Sequence, residues 1–405
     1  MKKEEFAEIE KVCETNSELI NSFVDEFLIY FCSEREGLDR QFARQFGKYA
    51  KLLDSMPEDW PMRLAAQYMA FQLFKKDGHA KKYVFLNEIR SRNEEEKLFL
   101  SEHIAVPWRF TFCTVRSNPE TNFFVIEDIP TGEEYFLYSP GLQDIIEKEP
   151  GVSYFLYLIG FNGKCWQSYG PHVYYKGFTP ADIVFFSKMV RPGTNSIEKL
   201  GEAINADPLP FCALFARSNF PLSVHGKDMI TNNQSEFRNI RFFPDKLSAK
   251  FSVAEKDRIF KIELKRWNHF PHFACCYFNL NKKHLVLYSM TARGYDKLIE
   301  ELAGSGYEFP KEPQNEVTMN MIMTAEEIFG RKINLNPYEE LFEKPQTAEQ
   351  SDEMNKINEF VGYMVEANNR KTKFDLEKCA EKCGLDLENA KSIAEQMGKM
   401  LSKYN

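Results

Sequence analysis

The sequence predicts an α+β multidomain protein. The hydrophobic period changes along the 405 residues, and the composition, 43% hydrophobic and 14% aromatic, is that of a folded chain. This length exceeds what one hydrophobic core usually serves, so several domains are expected. We predict a helical domain (1–105), an antiparallel β-barrel-like domain with an end helix (106–194), an α+β domain (195–342), a linker (343–353) and a C-terminal three-helix unit (354–405).

The first segment has the apolar spacing of helices. In INSFVDEFLIYFC, four side chains fall on one helical face: Phe23, Phe27, Leu28 and Phe31. The stretch PMRLAAQYMAFQLF repeats the pattern, and its Pro61 suits the first turn of a helix.

The second segment changes to strands. Residues 122–139 contain two β-rich runs around Pro130-Thr131-Gly132, and residues 154–170 contain two more around Asn162-Gly163, a dipeptide typical of tight hairpin turns. Two hairpins with few acceptable edges predict a small barrel or a rolled antiparallel sheet. A helix should follow, with Thr179 as its N-cap and Pro180 in its first turn.

The third segment mixes strands with a helix. Thr291 should cap the helix, and Gly304 should end it. A polar stretch, EKPQTAEQSDE, is predicted to link this segment to the last helices. The predicted strands lie in residues 239–253, 258–267, 272–280 and 284–290.

The order of these parts resembles a known group of proteins. The stretches PWRFTF, IEDIPTGEEYFLYSP, GKCWQSYGPH and MTAEEIFGRKINLNPYEELFEK resemble uncharacterised bacterial multidomain proteins that often carry a SEC-C zinc motif. This chain contains no Cys-x-Cys pair and therefore lacks the zinc motif. The resemblance implies the domain order, and it implies no activity and no functional residue.

Charge and cysteine usage restrict the environment and the partners. The formal charge is −8 and the pI is about 5.6, so the overall field attracts neither phosphate backbones nor anionic membranes. The N-terminal lysines are followed by glutamates rather than an apolar region, and the apolar stretches are too short to span a bilayer. Nine cysteines without regular spacing are typical of reduced thiols. We expect a cytoplasmic protein without membrane contact.

The stretch WNHFPHFACC raises the question of a metal site. His269, His272, Cys275 and Cys276 would have to meet around one ion. Along a strand, successive side chains point to opposite faces, and members of one face stand well apart. We therefore predict no metal site and no cofactor, with the two cysteines buried in a core strand.

A second pattern suggests a nuclease. Asp245 follows a proline, and Glu263 and Lys265 lie in FKIELK, a spacing compatible with the PD-(D/E)-x-K nucleases. In that alternative the two carboxylates would hold Mg²⁺, and the lysine would stabilise charge on the attacked phosphate or position water. The competing interpretation places Glu263 and Lys265 on the solvent face of a strand.

The C-terminal stretch 375–397 has the spacing of a helix-turn-helix, with Gly384 at the turn and Asp386 capping the second helix. As a DNA-binding alternative, the second helix would use the following residues: Asn389, Lys391, Ser392 and Gln396. Residues 352–405 carry nine Lys/Arg and ten Asp/Glu, a balance that favours packing or partner binding over DNA.

These observations favour a non-catalytic protein that acts through contacts with a protein partner. Cys165 and His172 fall at neighbouring strand ends, where a thiol–imidazole pair would be conceivable, but nearness in sequence does not establish geometry. The DNA-binding regulator and the magnesium nuclease remain the two alternatives.

Overall fold

The computed structural model describes residues 3–53, 56–218, 222, 224–225, 227–247, 249–267, 271–342, 348–369 and 372–401. The chain forms two compact units. The first comprises Met1–Ser218 and Met321–Arg331, and the second comprises Asn219–Asn320 and Lys332–Asn405. The predicted α+β class is confirmed, with N-terminal helices, a closed barrel, a second sheet and C-terminal helices.

The first unit begins with the predicted helices. A π-helical turn region, Ile20–Leu28, joins the first two of them. Its wide turns stack the ring of Phe27 between Phe23 and Phe31, with centroids 5.9 and 5.6 Å apart. The helices are α1 (Lys3–Leu19), α2 (Ile29–Glu36), α3 (Leu38–Phe46), α4 (Trp60–Phe74), α5 (Ala80–Tyr83), α6 (Asn87–Arg90) and α7 (Glu94–Ala105).

A five-stranded barrel follows, and both predicted hairpins are confirmed within it. The strand that opens the segment, β1, pairs with β2 on one side and β4 on the other, which closes the barrel in the order β1-β2-β3-β5-β4. The β3–β5 pairing is parallel, and the other pairings are antiparallel. The elements are β1 (Arg109–Glu120), β2 (Phe123–Asp128), β3 (Glu133–Tyr138), α8 (Pro140–Lys148), β4 (Tyr154–Phe161) and β5 (Trp166–Tyr175).

Large apolar side chains fill the barrel, among them Phe124, Phe155 and Ile159, which are fully buried. The predicted end helix, α9 (Pro180–Val190), begins with a capping box in which Thr179 accepts from the Asp182 amide. Two further helices of this unit are α10 (Leu200–Ala206) and α11 (Leu209–Leu214).

The second unit is built on a six-stranded sheet in the order β13-β8-β12-β11-β10-β9. The helix α12 (Ala292–Ala303) packs on one face through Tyr295, Leu298 and Leu302. Thr291 caps it by accepting from the Gly294 amide, and it ends at Gly304, both as predicted. The strands are β6 (Val224–His225), β7 (Asp228–Met229), β8 (Thr231–Phe237), β9 (Phe251–Lys256), β10 (Ile259–Leu264), β11 (Ala274–Asn279), β12 (His284–Ser289) and β13 (Asn315–Thr318).

The first predicted strand of this segment is wrong over most of its length. Residues 239–247 and 249–250 form no strand and contain a 3₁₀ turn at Pro244–Lys246, and the strand begins only at Phe251. Pro244 removes a ladder donor, and the fully buried Phe242 anchors the loop against the core instead of alternating in a sheet. After β13, the chain continues into α13 (Met319–Phe329) and α14 (Glu339–Phe342).

The C-terminal unit has its own hydrophobic core, with Phe360, Ala380 and Ala390 at its centre. The predicted linker is shorter than expected, because α15 already begins at Ala348. Five of the six residues in 348–353 are polar, so the stretch shows no apolar period that would have revealed the helix. The three helices are α15 (Ala348–Asn369), α16 (Leu376–Cys383) and α17 (Leu387–Leu401).

Within the described ranges, none of the helices combines the length and the apolar character that crossing a bilayer requires.

Candidate functional site

Two of the three residues of the nuclease alternative have local partners. Asp245 is exposed in the 3₁₀ turn before β9. On β10, Glu263 forms an ion pair with Lys261, with 2.7 Å between Oε1 and Nζ. Lys265 donates from Nζ to the carbonyl of Ala249 at 3.0 Å. Glu263 is therefore held by a lysine of its own strand, and Lys265 is held by the backbone just before β9.

The two cysteines of WNHFPHFACC point to opposite faces of β11, as the strand period predicts. Cys276 lies in the core under α12, and Cys275 packs on the other face beside Tyr277 and Tyr338. His272 lies 3.0 Å from Thr291 Oγ1 through Nδ1. His269 lies outside the described residues. Across the part of the chain that is described, no group of three or more His, Cys, Asp or Glu side chains is arranged to hold a metal ion.

The C-terminal helix pair has the predicted turn. Gly384 ends α16 in the left-handed conformation, and Asp386 accepts from the Asn389 amide at 2.9 Å to cap α17. Asn389, Lys391 and Ser392 are exposed, and the side chain of Gln396 lies outside the described residues. An acidic cleft of about 310 Å³ opens beside this cap, lined in part by Asp352, Glu353 and Asp386.

A larger cleft, of about 610 Å³, opens in the first unit beside β5. Three elements supply its walls: α1, the junction of β3 with α8, and β5 itself. The lining is mostly polar and contains two carboxylates, three hydroxyls, one amide and an imidazole. The lining residues are Glu14, Ser17, Glu18, Tyr138, Pro140, Gly141, Gln167, Ser168 and His172.

A bulge in β5 builds the inner wall of this cleft. Leu156 of β4 pairs with Val173, and Leu158 pairs with Tyr169, so β5 has two residues more than β4 between these pairs. In a regular strand, side chains four positions apart stand about 13 Å from each other. The bulge shortens this separation, so that Ser168 and His172 both reach one hydroxyl group.

A buried glutamine from α4 holds the bulge. Gln67 is fully buried, and its Nε2 donates to the carbonyls of Tyr169 and Pro171 at 2.7 and 2.9 Å. Between those carbonyls, Gly170 has φ +74°, and a Cβ there would lie 2.8 Å from Gln67 Cβ. Glycine is therefore required for both the backbone conformation and the close approach.

The hydroxyl that Ser168 and His172 share belongs to Ser139, the N-cap of α8. Ser139 Oγ accepts from the Leu142 amide and from Ser168 Oγ, and it lies 2.9 Å from His172 Nε2. With both lone pairs used, its own proton points to the imidazole. Burial lowers the pKa of His172 to about 4, so the imidazole is neutral near pH 7 and accepts this hydrogen bond at Nε2.

The imidazole of His172 packs directly against the first turn of α8. A Cβ on Gly141 would lie only 2.7 Å from His172 Cε1, so a side chain at this position would displace the ring. The cleft therefore combines a polar, half-buried wall of Ser168 and His172 with the exposed carboxylates of α1.

The sequence alone does not indicate that these residues meet. Cys165 and His172 were considered as a possible pair, whereas Cys165 lies 3.4 Å from Cys13 and His172 bonds to Ser139. Two signals were present: Gly170-Pro171 inside a strand favours a bulge, and Ser139-Pro140 is typical of a helix start. Neither signal shows that both features share one cleft.

This chain matches no protein-family model, and no curated protein or solved structure is significantly similar to it. The resemblance in domain order therefore remains a prediction.

Proposed function

We propose that this chain acts without catalysis, by binding a protein partner, and that the partner docks in the cleft beside β5. The observation that carries the proposal is the clamped bulge. A two-residue bulge, a left-handed glycine and a buried glutamine together turn Ser168 and His172 toward one open cleft. Bulges of this kind re-aim side chains, and they are frequent next to binding and active sites.

The lining favours a cationic side chain of the partner. Glu14 and Glu18 are exposed one helical turn apart, and within the described part of the chain neither forms an ion pair. Like charges at this spacing destabilise a helix by about 0.2–0.5 kcal/mol. The largely buried Tyr138 adds an aromatic ring to the lining of the same cleft. A lysine or arginine side chain would neutralise both carboxylates and place its apolar stem on the ring.

A peptide panel tests the proposal. Short peptides with a central lysine, arginine, aspartate or alanine are measured by fluorescence anisotropy against the full chain. We expect the cationic peptides to bind best and binding to weaken with salt. The variant Glu14→Gln with Glu18→Gln should weaken it about tenfold, because two partly screened ion pairs contribute about 1 kcal/mol or slightly more.

The matched control is Glu4→Gln with Glu8→Gln, which removes the same charge at the same spacing from exposed positions of α1 outside the cleft. This control should bind like the unmodified chain. Equal weakening in both variants, or no preference for cationic peptides, would contradict the proposed site.

We infer a cytoplasmic location for the same protein. All nine cysteines are free thiols, and eight of them are buried. Proteins of oxidising compartments usually use such cysteine numbers for disulfides, whereas cytosolic proteins keep them reduced.

DNA binding through α17 is the second candidate function, and the Gly384 turn and Asp386 cap favour it. Exposed Glu388 and Glu395 on the same helix oppose phosphate contacts. Fluorescence anisotropy of a random double-stranded DNA at low salt decides between DNA binding and the proposed protein-binding function. We expect no binding, and binding that is lost in Lys391→Ala would establish the DNA-binding function instead.

The nuclease alternative is tested at Glu263. Because its ion pair with Lys261 is partly exposed, Glu263→Ala should change the free energy of unfolding by less than about 1 kcal/mol. We expect no cleavage of DNA or RNA in the presence of Mg²⁺. Cleavage that disappears in Glu263→Ala would replace the non-catalytic proposal with the nuclease.

A further inference from the structure

Two cysteines far apart in sequence meet in the first unit. Cys13 lies on α1, and Cys165 directly precedes β5, with 3.4 Å between the two sulfur atoms. Both side chains are buried. The adjacent cysteines of β11 provide a contrast, because Cys275 and Cys276 point to opposite faces of their sheet.

The surroundings distinguish the two sulfur atoms. Asn162 Oδ1 accepts from the amides of Lys164 and Cys165, which fixes the orientation of its side-chain amide. Its Nδ2 therefore faces the sulfur atoms, 3.2 Å from Cys13 and 3.8 Å from Cys165. Donors of this kind stabilise a thiolate.

The contact between the two thiols shifts their pKa values in opposite directions. Either thiol can donate in this contact, and because Asn162 Nδ2 stands closer to Cys13, the hydrogen-bonded pair lowers the pKa of Cys13 and raises the pKa of Cys165. When the pair loses one proton, the closer Asn162 donor and the Cys165 thiol both favour the thiolate on Cys13, which makes Cys13 the nucleophile.

We propose that Cys13 and Cys165 form an oxidisable dithiol that a peroxide converts to a disulfide. The Cys13 thiolate attacks one peroxide oxygen, the O–O bond breaks, and the released hydroxide takes a proton to become water. The resulting Cys13 sulfenic acid is attacked by the Cys165 sulfur, the S–O bond breaks, and a second water leaves with the Cys165 proton. The two thiols lose two electrons, which reduce the peroxide.

Little movement is required for the second step. A disulfide brings its sulfur atoms to about 2.05 Å, so the pair, now 3.4 Å apart, must approach by about 1.4 Å. Glu14 and Gln167, close to the two cysteines in sequence, line the cleft beside β5, and because both sulfurs are buried, a small oxidant reaches them when this region opens locally.

The new bond would tie α1 to the barrel. Gln167 Nε2 already donates to the Cys13 carbonyl and to Ser17 Oγ, so this contact region also forms one wall of the cleft. The inference does not depend on what the cleft binds, because the chemistry involves only the two thiols and the oxidant.

Peptide mapping of the full chain tests the inference. The reduced protein is treated with hydrogen peroxide, quenched with an alkylating reagent, denatured, digested without reductant and examined by mass spectrometry. We expect a linked peptide pair containing Cys13 and Cys165, loss of two of the nine free thiols, and reversal by dithiothreitol. Absence of that linked pair at doses that oxidise other cysteines would overturn the inference without any variant being needed.

Serine variants add the matched comparison. In Cys165→Ser, Cys13 should stop at the sulfenic acid, which a dimedone probe traps, and in Cys13→Ser the oxidation should be lost. The control Cys275→Ser removes a buried thiol outside the pair and should leave the link unchanged.

Cys13 should also react with iodoacetamide at neutral pH at least about tenfold faster than Cys275. Equal rates, or an unchanged oxidation product in Cys13→Ser, would contradict the assignment of the nucleophile.

Discussion

His103 accepts a hydrogen bond from Trp108 Nε1 at its Nδ1, at 2.8 Å, and lies 3.2 Å from Asn16 Oδ1 through Nε2. Because the indole N–H only donates, Nδ1 must stay unprotonated in the folded chain. Burial lowers the pKa of His103 to about 4, below its ordinary value of 6.5. The unfolded chain therefore binds the proton first as the pH falls, and folding is progressively disfavoured.

We predict that acid destabilises the fold through this residue. The stabilising contribution of neutral His103 is complete above pH 6.5, declines as the pH falls and is lost by about pH 4, a change of about 3 kcal/mol. His103→Gln keeps an acceptor for Trp108 and a donor for Asn16 but does not titrate. Urea denaturation at several pH values should show that the free energy of unfolding falls less with decreasing pH in this variant. His172 contributes a similar decline in both proteins, so the difference between them reports on His103. The same pH dependence in both proteins would contradict the assignment to His103.

Gln67 gives a second prediction for a single residue. Gln67→Leu removes the donor to two carbonyls of the bulge, so the free energy of unfolding should fall by about 1–3 kcal/mol. The peptide affinity of the cleft should fall as well, because His172 and Ser168 lose their common position. Gln72→Leu on the same helix should change stability by about 0.5 kcal/mol or less. Loss of stability with unchanged binding would show that the bulge does not position the site.

The burial and facing of a single side chain could be predicted where the period of one helix or one strand determines them. The alternation of a strand predicted that Cys275 and Cys276 face opposite ways, and the spacing of a helix predicted the buried Phe23 and Leu28. The hydrogen bond between Ser139 and His172 depends on the bulge that interrupts the alternation of β5, and Gln67 of α4 holds that bulge. No local pattern contains that information.

At the scale of elements, the start of α9 offers a direct test. Thr179 accepts from the Asp182 amide, and the Asp182 carboxylate accepts from the Thr179 amide, so two otherwise unpaired donors are satisfied. Thr179→Ala should lower the free energy of unfolding by about 1 kcal/mol. Thr121→Ala, at an exposed turn between β1 and β2, is the control and should have almost no effect. Equal values for the two would show that the cap contributes nothing.

Elements with strong local signals were predicted, and those stabilised by distant partners were not. Asn162-Gly163 and the Thr291 cap fixed a hairpin and a helix start from sequence alone. By contrast, β8 is built from TNNQSEF, a polar stretch without an apolar period. Its Ser235 is buried because Tyr295 of α12 supplies a hydrogen-bond partner at 2.6 Å. A burial of this kind depends on tertiary structure rather than on propensity.

At the scale of the whole molecule, closure of the barrel needs β1, whose pairing with β4 joins residues about fifty positions apart. The hairpin signals predicted the sheet, but they did not show that β3 and β5 pair in parallel. The C-terminal helices differ in this respect. Their core is formed by residues between Phe360 and Met397, all close in sequence, so short-range patterns were sufficient to predict them.

The local character of that core leads to the last prediction. A chain ending at residue 345 should keep a cooperative thermal transition within a few degrees of the full chain, a change of about 1 kcal/mol or less, because the helices from α15 onward bury their apolar faces mainly against each other. A chain ending at residue 312 is the control. It also loses β13, which pairs with β8 from Thr231 to Gln234, so that β8 becomes an unpaired edge strand, and it loses α13, most of which belongs to the first unit. The shorter chain should therefore melt lower or aggregate. Aggregation of the chain ending at 345, or loss of its transition in calorimetry, would show that the C-terminal helices are needed by the rest of their unit.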